Sequence, residues 1–151
     1  MRLSTRSRYA VMALAEMAGR RNSAGPVTLA DIAEAQMLSA AYLEQLFMRL
    51  RRGGLVESAR GPGGGYRLAR MPSAISVAEI VEAVDEPISA TRCEGGTENC
   101  LGGRKCPTHD LWAELGEQIR LFLSAITLAD VVEGRTLGRA MPVPPAAIAA
   151  E

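Results

Sequence analysis

Apolar positions recur at helical spacing early in the chain. Tyr9, Ala10, Ala13, Leu14, Met17 and Ala18 share one face of a helix predicted over 7–19. Asn22-Ser23-Ala24-Gly25-Pro26 then reads as a turn. Thr28-Leu29-Ala30-Asp31 has the form of a capping box and opens a short helix at about 29–36. Ser39 caps a second, at about 40–52, with Leu43, Leu46, Phe47 and Leu50 on its inner face. Gly53-Gly54 ends it. The pattern next suggests paired short strands, Leu55–Ser58 and Tyr66–Ala69, around the loop Ala59-Arg60-Gly61-Pro62-Gly63-Gly64-Gly65. Ser76-Val77-Ala78-Glu79 is another capping box, for a helix at about 77–84. This order predicts a mostly α fold with a small β-hairpin wing, a winged helix-turn-helix over 1–87.

The longest helical pattern covers 110–126, where Leu111, Leu115, Ile119, Phe122 and Ile126 form a stripe widened by Trp112 and Leu123. That is more apolar surface than a helix beyond a finished domain should expose, so a homodimeric helix–helix contact is its expected use. Packing back on its own winged domain is the alternative. Thr127-Leu128-Ala129-Asp130 starts one more short helix, completing a dimerisation segment over 110–133. With Pro142, Pro144, Pro145 and an alanine run, 134–151 reads as a disordered tail.

Composition changes this picture in two ways. Only six of the 151 residues are aromatic, so the core must be mainly aliphatic. The net charge is zero, but residues 1–70 carry eleven arginines against five acids, a net +6, and the remainder carries −6. A basic first half fits contact with nucleic acid. No stretch reaches the roughly 18–20 apolar residues of a membrane span, and no signal-peptide core follows Met1, so a cytoplasmic protein is expected.

The three cysteines and the single histidine, Cys93, Cys100, Cys106 and His109, all fall in a glycine-rich stretch, the loop 88–109. Such a loop has no apolar run with which to fold, so a metal centre that organises it is the natural reading. An odd cysteine count argues against a closed disulfide framework. The first two intervals are wider than those that usually begin a structural zinc site, which suits a cluster on two irons. Zinc and iron–sulfur both remain possible from the residues alone. A lone histidine with no nucleophile–base constellation and no P-loop argues against an enzyme.

In a helix-turn-helix the start of the second helix reaches base edges. That position holds Ala40, Ala41, Tyr42, Glu44 and Gln45. Gln45 can read adenine, and Glu44 can accept from cytosine and penalise sites without a donor. Arg49, Arg51 and Arg52 suit phosphates. In the wing, Gly61, Gly63 and Gly64 allow close backbone approach, and Arg60 suits a narrow minor groove. Arg2 completes the expected DNA contacts.

Met1-Arg2-Leu3-Ser4, Arg8-Tyr9-Ala10, Tyr42-Leu43-Glu44-Gln45-Leu46-Phe47, Leu50-Arg51 and Arg60-Gly61-Pro62-Gly63-Gly64-Gly65-Tyr66 resemble the Rrf-type family of bacterial winged-helix regulators. Ala83-Val84-Asp85-Glu86, Ala90-Thr91-Arg92-Cys93 and Ile126-Thr127-Leu128 narrow the resemblance to its iron–sulfur cluster regulators, over about residues 1–133. The resemblance implies a transcription regulator, mainly a repressor, that controls cluster-assembly and related genes. It implies one 2Fe-2S cluster per chain on Cys93, Cys100, Cys106 and His109. It further implies a homodimer on a roughly palindromic double-stranded operator, loaded through contact with cluster-assembly machinery. The interval from Cys93 to Cys100 is one residue longer than in the best-known members, which bears on cluster stability. Nitric-oxide-sensing 4Fe-4S members carry Asp where Arg8 stands, so Arg8 argues against that variant. A zinc-stabilised DNA-binding protein without sensing is the other alternative, and an electron-transfer or cluster-carrier protein would leave the basic half unexplained.

Overall fold

Helix α1 (Thr5–Gly19) begins where Ser4 Oγ accepts the Ser7 amide at 3.2 Å. In this computed structural model the described residues are 4–20, 25–84, 88 and 103–138. The inner face of α1 is small: Ala10 and Ala13 are buried beside Leu14, Met17 and Ala18. Small side chains let neighbouring helices approach closely, and α1 is the element around which the others gather. Thr28 and Asp31 cap each other's amides, at 3.1 and 3.2 Å, and start α2 (Leu29–Gln36). The turn to the next helix passes through Met37, whose φ of 51° is the only positive value at a non-glycine among the described residues. Ser39 then caps α3 (Ala40–Arg52). Leu43, Leu46, Phe47 and Leu50 fill the space between α3 and α1 together with Ile32.

Strands β1 (Val56–Ala59) and β2 (Gly65–Leu68) pair antiparallel, Val56 opposite Leu68 and Ala59 opposite Gly65. They lie within one residue of the expected strands. The sequence pattern did not reveal a third member. Val27 and Tyr66 exchange both backbone hydrogen bonds, at 2.9 and 2.8 Å, so the segment before α2 borders the hairpin. The Tyr66 ring meets Phe47 edge-on, with centroids 4.8 Å apart, and ties the hairpin to the core.

A short 3-10 turn (Pro72–Ala74) leads into α4 (Val77–Val84), capped by Ser76 and Glu79. After the cysteine-bearing segment come α5 (His109–Ser124) and α6 (Leu128–Val132). The Thr127–Asp130 capping box is formed. Two hydrogen bonds close this excursion. Val77 N–H donates to the Ile126 carbonyl and Leu128 N–H to the Ile75 carbonyl, both at 2.8 Å. The starts of α4 and α6 therefore lie side by side. Gly134 to Gly138 form turns in which the Arg135 amide donates to the Asp130 carbonyl at 2.8 Å. These turns occupy the start of the segment read as a tail; its remainder, 139–151, lies outside the described residues.

Glu16 joins α1 to α2. Its carboxylate accepts from Arg20 at 2.6 Å and from Gln36 at 2.8 Å. The Arg20 hydrogen bond is the main cause that holds this carboxyl below the usual range, and Gln36 adds to it. A carboxyl with a lowered pKa in the folded state stabilises the fold above its unfolded pKa and loses that contribution as pH falls through the folded value. Glu16→Gln is therefore expected to reduce stability at pH 7 by a few tenths to about 1 kcal/mol, the scale of a partly solvated pair. The difference from wild type should fade below about pH 4. Denaturant melts of both proteins across pH check this; equal stability at pH 7 would contradict it.

Candidate functional site

The expected reading helix is α3. Ala40, Ala41, Glu44, Gln45, Arg51 and Arg52 are exposed along it, opposite its buried leucines. The last-turn arginines also complement the negative end of the helix dipole. Two expected contacts prove to be engaged inside the protein. Tyr42 is half-buried and meets Tyr9 of α1 edge-on, ring centroids 5.9 Å apart and planes at 90°. Arg49 donates from Nη1 to the Val84 carbonyl at 3.0 Å, so this guanidinium fastens α3 to the last residue of α4. A role for Arg49 purely as a phosphate contact does not describe that geometry. Arg2 lies outside the described residues.

The wing loop follows β1 directly. Arg60 is exposed at its shoulder, and Gly61 and Gly63 are exposed with φ of 99° and 73°. Gly64 closes the loop, its amide donating to the Gly61 carbonyl at 2.9 Å. A Cβ on Gly64 would stand 2.5 Å from the Ala59 carbonyl oxygen and 2.8 Å from that of Gly61. The glycine there is a packing requirement of the loop's shape, beyond any need for close approach to a ligand.

Of the four expected metal ligands, Cys106 and His109 are described, and Cys93 and Cys100 lie outside the described residues. The His109 amide donates to the Cys106 carbonyl at 3.1 Å, so both residues sit on the turn that opens α5. Both are half-buried. Cys106 is a free thiol whose Sγ lies 3.6 Å from Thr108 Oγ1. Among the described residues no third Cys, His, Asp or Glu joins them in a cluster. A soft thiolate and an imidazole on one turn form half of a donor set that suits iron–sulfur or zinc, and the two remaining cysteines are the donors that could complete it.

Helix α5 carries Leu111, Trp112, Leu115, Leu121 and Phe122 exposed, with Ile119 half-buried. Ile126 departs from this stripe. It follows α5 and is only 4% exposed, packed with Val77 and Val81. Its helical spacing was real, but the chain turns at Ala125 and carries Ile126 into the protein's own core. The other face of α5 is polar, with Glu117 and Arg120 paired at 2.6 Å. One feature of α3 escaped sequence reasoning altogether: Met48, a large apolar side chain, is 54% exposed on the face that carries Glu44 and Gln45. Its spacing of four from Glu44 was the available signal.

The chain matches the model of the Rrf2 family, described as iron-dependent transcriptional regulators, over residues 3–134. It is 53% identical over 137 residues to the HTH-type transcriptional regulator IscR of Yersinia pestis, covering 91% of this chain and 82% of that protein. Among solved structures it resembles CymR, the global cysteine regulator of B. subtilis, at 33% identity and a TM-score of 0.75, covering 89% of this chain and 98% of that one. It also resembles IscR of T. potens at 34% identity and a TM-score of 0.73, covering 95% and 94%.

Gly64→Ala is expected to cost about 1–3 kcal/mol of stability, or to open the hairpin by a comparable rearrangement. Denaturant melts and the Ala59 and Gly65 amide shifts would report it. A variant with wild-type stability and wild-type shifts would contradict the packing argument.

Proposed function

The chain belongs to the Rrf2 family of transcriptional regulators, and we propose that it is an IscR-type regulator responding to iron–sulfur cluster status through a 2Fe-2S cluster on Cys93, Cys100, Cys106 and His109. It is a regulator and not an enzyme. The observation that carries the proposal is the placement of Cys106 and His109 on the single turn that opens α5, with two further cysteines as the only others in the chain. When bound, the cluster supplies a link among four ligands whose presence depends on iron, sulfide and oxidants. One imidazole among the ligands makes that link acid-sensitive, because protonated histidine cannot ligate.

The chain's own residues define what such a link would act on. The ligand-bearing segment leaves α4 after Val84 and rejoins the fold at His109. Arg49 holds the Val84 carbonyl, so the segment's entry point is hydrogen-bonded to α3. Fixing the segment in one arrangement therefore biases the helix that carries Glu44 and Gln45. Two chains joined through the exposed face of α5 would present two such helices, which calls for a roughly palindromic operator. Arg51, Arg52 and Arg60 supply phosphate and minor-groove contacts, and cluster-assembly genes are the expected targets. A contact with the assembly machinery would accompany loading. A zinc-held version of the same loop is the reading that metal content separates.

Protein purified without oxygen is expected to hold about two irons and two sulfides per chain, the content of a 2Fe-2S cluster, with sulfur-to-iron charge-transfer bands. His109→Ala should lose them faster than wild type. Zinc alone, under conditions that supply iron and sulfide, would remove the sensor and leave a DNA-binding dimer. Leu115→Glu combined with Phe122→Glu is expected to give a helical monomer by sedimentation where wild type is a dimer. A monomeric wild type, or a dimeric double variant, would contradict the use assigned to α5.

A further inference from the structure

We infer that Met48 is a specificity-determining residue of the reading helix, contacting the 5-methyl group of a thymine in the major groove; this rests on α3 being the element that enters the groove. Helix α3 has one side committed to the core, through Leu43, Leu46, Phe47 and Leu50. At 100° per residue, the opposite side is Ala41, Glu44, Gln45, Met48 and Arg52. Met48 stands near the middle of that side, one turn beyond Glu44 and three residues beyond Gln45. It is not among the side chains packed on the core and is 54% exposed.

Helical side chains lean toward the N-terminus, so the thioether of Met48 extends back over the turn that holds Glu44 and Gln45. That is the end of a reading helix that meets base edges, and such helices read over about two turns. Ala41, also exposed on this side, is too short to compete for the space. Among the groups that A·T and G·C pairs display in the major groove, the thymine methyl is the apolar one. A methionine there gains from covering that methyl and gains nothing from a polar base edge. Its three rotatable bonds let it follow the methyl without a fixed register. Glu44 and Gln45 would then read polar edges while Met48 adds a requirement they cannot impose.

The test uses the full chain and a duplex operator recovered by selection from randomised DNA with the wild-type protein. Each thymine is replaced singly by deoxyuridine, which removes only the methyl. In each half-site one replacement is expected to weaken wild-type binding about fourfold, the transfer of one methyl group out of water. The same replacement should leave Met48→Ala and Met48→Gln unaffected, while Met48→Leu keeps the dependence. Wild type and Met48→Ala responding alike at every thymine would overturn the assignment. If Gln45→Ala still weakens binding in that case, only Met48 loses its role. If Glu44→Ala, Gln45→Ala and Met48→Ala all bind as wild type does, α3 does not read DNA and the assignment falls with that premise.

Discussion

The backbone pairing of residues 75–77 with residues 126–128 holds this protein together as one functional unit. Val77 donates to Ile126 and Leu128 to Ile75, both at 2.8 Å. Everything between, from α4 through the cysteine-bearing segment to α5, is an excursion that starts and ends at one place. Val77, Val81 and Ile126 seal it with a small apolar cluster, on which Leu123 of α5 packs. Ordering a segment whose flanking helices are already tied to each other costs less entropy than ordering a free extension. Helices α4 and α5, which flank that segment, are in contact with each other, and packed elements move between discrete arrangements rather than stretching.

Those elements lead back to α3. Arg49 on α3 grips the final carbonyl of α4, and a Cβ on Gly53 would lie 2.9 Å from the Ala83 Cβ, so the two helices are in close contact there. Tyr42, near the start of α3, leans on Tyr9 of α1. The helix carrying Glu44 and Gln45 is thus held near both ends by contacts with other elements. Electrostatics divides the molecule along the same lines. The basic first half, at +6, suits a polyanion, and the second half, at −6, does not.

Local chemistry was legible in the chain and long-range closure was not. The capping boxes at Thr28–Asp31, Ser76–Glu79 and Thr127–Asp130 are all formed, because a cap is decided within four residues. Helices α2, α3 and α4 begin and end where their caps and glycines placed them. The bridges Val27 to Tyr66 and Ser76 to Thr127 join segments far apart in sequence, and nothing in either segment's own pattern announces its partner. Ile126 shows the same limit from the other side: its spacing matched α5, and a distant pairing decided its burial. Arg49 read as one of several equivalent basic residues until its partner, thirty-five residues away, was in view. Of the ligand set, only the half on the turn before α5 lies in described structure. The other half remains legible only as cysteines at a spacing.

The central claim is that the state of the loop is felt at the DNA. The most direct measurement is the affinity of one operator for the full chain, first as purified without oxygen and then after anaerobic removal of its metal. The account predicts a difference of about 5–150-fold at one class of operator or more, the range of ordinary allosteric coupling. The same affinity in both states at every operator recovered would contradict it.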